Sequence, residues 1–234
     1  MPLIRERSSP NHDARPGERE PDLILLHYTG MRSAEEAMAR LCAPAARVSA
    51  HYCIEEDGTL WRLVPESRRA WHAGLSNWEG QEGVNDRSLG IELVNPGHEW
   101  GYRAFPEAQM ACLLELLAVL RVRWRIPRWN VVGHADVAPL RKEDPGELFD
   151  WARLAAAGHG LWPQEAPALA PDETQARQAL ATIGYGYLEE DFPAVLRAFQ
   201  RHFRPARVDG VLDADTAGRL AAVAALFNAA RGEG

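Results

Sequence analysis

The chain has no excess of positive charge: 26 Lys and Arg stand against 33 Asp and Glu, a formal net charge of −7. Nucleic-acid binding needs a basic footprint for the phosphate backbone, so this balance gives that role no support. Cysteines are few, with Cys42, Cys53 and Cys112 at wide spacing. An odd, scattered set argues against a disulfide framework and is compatible with a reducing compartment. No apolar run approaches the ~20 residues of a membrane-spanning helix. The opening Met1-Pro-Leu-Ile-Arg-Glu-Arg-Ser-Ser-Pro carries charges and no apolar core of a secretory signal. With Met1 as the start, the expectation is a cytoplasmic protein. No internal repeat is visible. The 234 residues suffice for one sizeable core and a small second one.

What is present alternates strands and helices. Residues 1–21 are polar and turn-rich and read as an extended arm. Leu23-Ile-Leu-Leu-His27 reads as a buried strand, and Ser33 to Leu41 as a helix with Ser33 as N-cap and Glu36 completing a capping box. Ser49 to Ile54 is a second strand. Asp57-Gly58 forms a hairpin turn, because glycine accepts the positive φ such turns need, and Leu60 to Val64 returns antiparallel. Ser88 to Val94 is a further strand, Pro106 to Ile126 a long helix with a Leu113, Leu116, Leu117, Leu120 stripe, and Val131-Val132 a last short strand. The fold class is α/β, a mixed β-sheet flanked by helices. Three prolines within residues 163–171 mark a linker. Helical patterns follow near 172–183, 192–203 and 213–230. In the second, Phe192, Leu196, Phe199 and Phe203 share one face. The expected organisation is an arm (1–21), a catalytic domain (22–162), a linker (163–171) and a small three-helix domain (172–234).

Three residues far apart in the chain sit in contexts that build metal sites. His27 ends an apolar strand before Tyr28-Thr29-Gly30, His134 follows Val131-Val132-Gly133, and Asp144 lies in the turn-forming Arg141-Lys142-Glu143-Asp144-Pro145-Gly146. Two imidazoles and a carboxylate at strand ends are the ligand set of a zinc ion with an open fourth position, which activates water in hydrolases. Only the fold can bring them together, so scattered histidines remain the alternative at this point. Glu92 interrupts the apolar Leu89-Gly90-Ile91-Glu92-Leu93-Val94, and a buried carboxylate is costly without a partner or a task. Alternation along the strand turns it away from Ile91 and Leu93, toward a cleft or toward solvent. Lys142, two residues before Asp144, is placed to stabilise an oxyanion or to sit solvated at the surface. Asp136 is close to His134 but lacks the turn context of Asp144. His12, His98, His159 and His202 are expected at the surface, and Cys53 as a small buried hydrophobe on the face of His51.

The runs Leu-Leu-His-Tyr-Thr-Gly (25–30), Val-Ser-Ala-His-Tyr (48–52), Ala-Trp-His-Ala-Gly (70–74), Asn-Asp-Arg-Ser-Leu-Gly-Ile-Glu-Leu (85–93), Val-Val-Gly-His-Ala-Asp-Val-Ala-Pro (131–139) and Arg-Lys-Glu-Asp-Pro-Gly (141–146) resemble the zinc N-acetylmuramoyl-L-alanine amidases of the AmpD/AmiD type. The match runs in the family's order across residues 22–162. The resemblance implies His27, His134 and Asp144 as ligands of one Zn2+, Glu92 as the catalytic glutamate and Lys142 as the lysine at the scissile carbonyl. It also implies that His51, Trp71, His72 and Asn85 belong to segments lining the substrate groove. Phe199-Gln-Arg-His-Phe-Arg-Pro and Val208 to Thr216 resemble a three-helix peptidoglycan-binding module, less specifically.

The implied activity is hydrolysis of the amide between N-acetylmuramic acid and L-alanine, with muropeptides as partners. AmiD-type members are typically exported lipoproteins, whereas neither an export signal nor a lipobox cysteine is seen here. Absence of a signal points to 1,6-anhydro-muropeptides as substrates, and the helical module points to the polymeric wall. Two rivals stand beside this reading. One is a muropeptide recognition module of the same fold, whose non-catalytic members lack a zinc ligand. The other is a zinc peptidase acting within the stem peptide.

Overall fold

The computed structural model of the chain describes residues 3–232. Its strands are β1 (Ile4–Glu6), β2 (His12–Ala14), β3 (Leu23–Tyr28), β4 (Tyr52–Ile54), β5 (Leu60–Arg62), β6 (Arg68–Ala70), β7 (Asn77–Trp78), β8 (Gln81–Glu82), β9 (Ser88–Leu93) and β10 (Val131–Gly133). Its helices are α1 (Ala34–Cys42), α2 (Gly97–Trp100), α3 (Glu107–Trp124), α4 (His134–Val137), α5 (Trp151–Ala156), α6 (Glu173–Ile183), α7 (Phe192–Phe203) and α8 (Ala214–Gly232). Six strands form the main sheet in the order β1-β5-β4-β9-β3-β10, with β4 and β5 antiparallel and the other pairs parallel. The mixed α/β class is therefore the one the sequence predicts.

The adjacent parallel strands β3 and β9 lie inside the sheet, covered on both faces as strands joined by parallel crossovers are. Leu23, Ile24, Leu25 and Leu26 are all fully buried. Ile24 and Leu26, with Leu89, Ile91 and Leu93 of β9, pack against the Leu113, Leu116, Leu117, Leu120 stripe of α3. Leu23 and Leu25 face the other way, into a cluster with Leu180 of α6, Phe199 and Phe203 of α7 and Val223 of α8. The three C-terminal helices thus complete the second face of the sheet, where the sequence suggests a small core of their own. The linker residues between them are irregular yet seated. Leu169 N–H donates to the Ala214 carbonyl at 3.0 Å, and the Pro167 carbonyl lies where a side chain at Gly218 would stand.

Local rules explain the element ends. Ser33 caps α1 by accepting from Glu36 N–H at 3.1 Å, but the Glu36 carboxylate reaches back to Arg32 N–H, so the box closes one residue early. Asp57 accepts from Thr59 N–H at 2.8 Å, and Gly58 takes φ +87° in the turn between β4 and β5. Arg125 ends α3 in the left-handed conformation before Ile126-Pro127.

Three sequence expectations need correction. The segment before β3 is not a loose arm: β1 extends the main sheet and β2 pairs with β6. Arg15, 5 % exposed, donates to the Glu66, Asn85, Asp86 and Ser88 carbonyls at 2.9–3.3 Å. Polar side chains hide this role, because strand pairing uses backbone groups that every residue carries. His159 and His202 are buried rather than at the surface, each beside a polar partner, Arg121 and Asp136 respectively.

Burial lowers the Arg15 guanidinium only to about 10, so it stays charged while tying four carbonyls together. Arg15→Met should strand those acceptors and destabilise the protein by about 2–4 kcal/mol in urea unfolding. A loss below about 1 kcal/mol would show the N-terminal segment to be an ornament on the fold.

Candidate metal centre and substrate cavity

The parallel register decides what meets what. His27 and Glu92 are directly opposed near the carboxyl ends of β3 and β9, and β10 delivers Gly133 beside Leu26 immediately before His134. Open α/β sheets place their sites at these strand ends. His27 Nδ1, His134 Nδ1 and Asp144 Oδ2 lie 3.0 Å from one another in all three pairs. All three residues are buried.

The chemistry of these donors tests whether the triangle suits a cation. His134 Nε2 faces the Ala73 carbonyl at 3.0 Å, so the ring presents Nδ1 to the other two residues. Two imidazole nitrogens and a carboxylate oxygen thus converge on one buried point, an arrangement that a divalent cation satisfies. Carbonyl-fixed imidazoles with a carboxylate are also an accepted donor set for zinc. Burial, with His134 alongside, lowers His27 to about 4 and keeps it neutral near pH 7. Burial opposes ionisation of Asp144, but the two imidazoles win and hold it well below the usual carboxylate range. The group can therefore bind a metal.

A cavity of about 590 Å³ opens over the triangle, lined by Glu92, Lys142, Trp71, His72, Arg40 and Tyr28 among others. Glu92 faces away from Ile91 and Leu93, which lie in the core beneath α3. Its Oε2 is buried without a hydrogen-bond partner among the described residues. Burial, then the Asp144 charge, raises the Glu92 pKa well above its ordinary value, and Lys142 opposes them. A carboxyl aimed into a cavity with a free oxygen and an elevated pKa has the properties of a proton-transfer group. Lys142 lines the same cavity, two residues before Asp144.

The four residues expected along a groove separate into two sets. Trp71 and His72 line the cavity, and His72 Nδ1 meets His27 Nε2 at 3.1 Å. His51 and Asn85 stand behind the wall. Asn85 Oδ1 accepts from the His72 and Ala73 amides at 3.1 and 2.8 Å, so it shapes the loop that supplies the Ala73 carbonyl to His134. His51 Nδ1 accepts from Gly90 N–H at 2.9 Å and Nε2 faces the Arg68 carbonyl at 3.0 Å. Gly90 itself has no room for a side chain: a Cβ there would stand 2.6 Å from the His72 ring. Sequence reasoning missed Arg141, which crosses to the Ala73 and Leu75 carbonyls and braces the same loop. Its position beside Lys142 was the available signal. It also missed Asp136, whose spacing from Gly133 is that of an acid capping the start of a helix.

An open mixed sheet with two histidines and an aspartate gathered at its parallel strand ends, and a carboxylic acid in the adjoining cavity, is the architecture of a metal-dependent hydrolase. Comparison with known proteins narrows the class. Residues 17–147 match the N-acetylmuramoyl-L-alanine amidase family. The chain is 36% identical over 220 residues to the N-acetylmuramoyl-L-alanine amidase AmiD of Escherichia coli K12, covering 83% of this chain and 79% of that protein. It is 36% identical over 169 residues to the 1,6-anhydro-N-acetylmuramyl-L-alanine amidase AmpD of Citrobacter freundii, covering 65% of this chain and 88% of that one. The solved structure of E. coli AmiD with anhydro-N-acetylmuramic acid-L-Ala-D-gamma-Glu-L-Lys superposes with a TM-score of 0.80 at 34% identity, over 92% of this chain and 93% of that one. The chain belongs to the N-acetylmuramoyl-L-alanine amidase family. Among the described residues no helix is long and apolar enough to cross a membrane.

Burial pulls His51 to about 3, so it is neutral in the fold, while in the unfolded chain it titrates near 6.5. Below pH 6.5 the unfolded chain binds the extra proton, and stability therefore falls with falling pH, by up to about 1.4 kcal/mol per unit for this group. His51→Asn should be less stable at pH 7.5 yet show a shallower loss between pH 6.5 and 5 in urea unfolding. Parallel pH profiles for the two proteins would refute the buried neutral state.

Proposed function

We propose that this chain hydrolyses the amide bond between the lactyl group of an N-acetylmuramic acid, in its 1,6-anhydro form, and the L-alanine that begins the stem peptide. The observation that carries the reading is the meeting of His27, His134 and Asp144 at 3.0 Å beside an unpartnered Glu92 oxygen. Zinc is the ion the donor set favours, held by His27 Nδ1, His134 Nδ1 and an Asp144 oxygen. Bound there, it supplies Lewis acidity and lowers the pKa of a water molecule. The substrate form follows the relatives, since the AmiD structure contains an anhydro-muropeptide and the AmpD relative carries the anhydro sugar in its name.

The remaining chemistry falls to this chain's own side chains. Glu92 takes a proton from the attacking water and delivers it to the departing alanine nitrogen, a transfer that suits a carboxyl whose pKa is raised by burial. Lys142 directs its ammonium at the carbonyl oxygen as negative charge grows there. Trp71 and His72 wall the cavity against water on the side of β6. Arg40 and Arg141 offer cations to the carboxylates of a stem peptide in the same cavity. A cytoplasmic recycling role fits the free state of Cys42, Cys53 and Cys112, of which Cys42 is only half-buried.

Glu92→Gln should retain one zinc per chain and lose about 10²–10⁴-fold in kcat on a synthetic anhydro-muropeptide. Mass spectrometry should show the wild type releasing intact stem peptide and free sugar. A Glu92→Gln protein within a few-fold of wild type would remove Glu92 from the mechanism. Cleavage inside the peptide would replace the amidase reading with a peptidase one.

A further inference from the structure

The metal triangle hangs on α4, a helix too short to hold itself in place. α4 begins at His134, and its Ala135 N–H donates to the main-chain carbonyl of Asp144 at 2.8 Å, so one turn of helix carries one ligand and grips the backbone of another. Asp136 is the anchor of that turn. Its carboxylate is 2 % exposed, and Oδ2 accepts from Gly133 N–H at 2.7 Å. The remaining donors come from the C-terminal module: His202 Nδ1 of α7 reaches the same oxygen at 2.7 Å, and the Tyr185 hydroxyl, from the connection between α6 and α7, reaches Oδ1 at 2.6 Å. His202 is clamped between Trp151, 3.7 Å away with rings 16° apart, and Phe203, 3.9 Å away. The residue before it, Arg201, pairs with Glu143 at 2.6 Å, and Glu143 sits between Lys142 and Asp144. Two consecutive residues of α7 therefore hold both segments that supply the second and third ligands.

We infer that the C-terminal helical module is a working part of the metal site: Tyr185 and His202, through Asp136, are positioning residues that set His134 and Asp144 for the ion. A module that served only to capture glycan needs no buried polar tie to the ligand helix. A carboxylate sunk in this interface is tolerated because all three of its partners are in place, and it fixes α4 in one position. The inference rests on the zinc reading above, and it is separable from it.

The test is zinc affinity rather than turnover. Tyr185→Phe deletes one oxygen and keeps the ring, His202→Gln keeps a donor of different reach, and Phe227→Ala opens a cavity in α8 within the same core as a control for general loosening. Each metal-stripped protein is competed for zinc against a chromophoric chelator, well below its unfolding temperature, with kcat and KM measured on a synthetic anhydro-muropeptide. Tyr185→Phe and His202→Gln should each weaken zinc by about 10-fold or more and lower kcat with KM little changed, as losses behind a metal ligand do. Phe227→Ala should lower Tm while leaving zinc affinity within twofold. If the two tie variants keep wild-type affinity, or if Phe227→Ala weakens zinc equally, the module only stabilises the fold and the inference is overturned. A wild-type protein that binds no zinc would instead overturn the reading on which it rests.

Discussion

Three electron-rich atoms held 3.0 Å apart are the constraint to which the rest of the molecule answers. Left to themselves, two imidazole nitrogens and a carboxylate oxygen move apart or borrow protons. Here packing holds them together. The Ala73 carbonyl fixes the far side of the His134 ring, and burial keeps His27 neutral. The protein spends folding free energy to keep these lone pairs converging, which is the usual condition of a site preorganised for a cation.

That convergence needs packing that side-chain chemistry alone does not convey. Gly90 lets the His72 ring lie against β9, and Gly133 lets Pro145 and Trp151 close over the start of α4, where a Cβ would stand 2.7 Å from Pro145 Cδ. Both glycines are demanded by close approach and neither by backbone conformation, since neither has a positive φ. Behind them the sheet is covered twice, by α3 on one face and by the C-terminal helices on the other. The face that carries His27 is the one shared with the helical module, and there α7 touches Asp136 and Glu143, the chain neighbours of His134 and Asp144.

Much of this was legible in the sequence, for identifiable reasons. The apolar run before His27, the cap at Ser33, the Asp57-Gly58 turn and the phenylalanine face of α7 are local signals, and the structure contains each. His27, His134, Asp144 and Glu92 were singled out by their local contexts, and it was the resemblance of the surrounding motifs to the amidase family that joined them into one expected site. What escaped was long-range. His202 had no motif around it and was expected at the surface, and only the arrival of Asp136, 66 positions away, makes its burial favourable. Residues 4–6 and 12–14 looked polar because their contribution to the sheet is made by amides and carbonyls, which sequence patterns do not register. His51, Asn85, Trp71 and His72 all lie in segments that the resemblance assigns to the groove, but only Trp71 and His72 line the cavity.

The unpartnered oxygen of Glu92 shows the same economy from the opposite direction. The carboxylate and amide behind the site are fully used: Asp136 has three donors and Asn85 bridges two amides. A single carboxyl left half-used among such neighbours is not explained by loose packing, since Leu89, Ile91 and Leu93 on its own strand are fully buried. Its neighbours also push one way, with burial and Asp144 favouring the acid and only Lys142 favouring the anion. A cation on the adjacent triangle would shift that balance toward the anion, so the proton affinity of Glu92 is coupled to occupancy of the metal site. A fold that holds Glu92 in register with His27 builds that coupling into one pair of hydrogen-bonded strands.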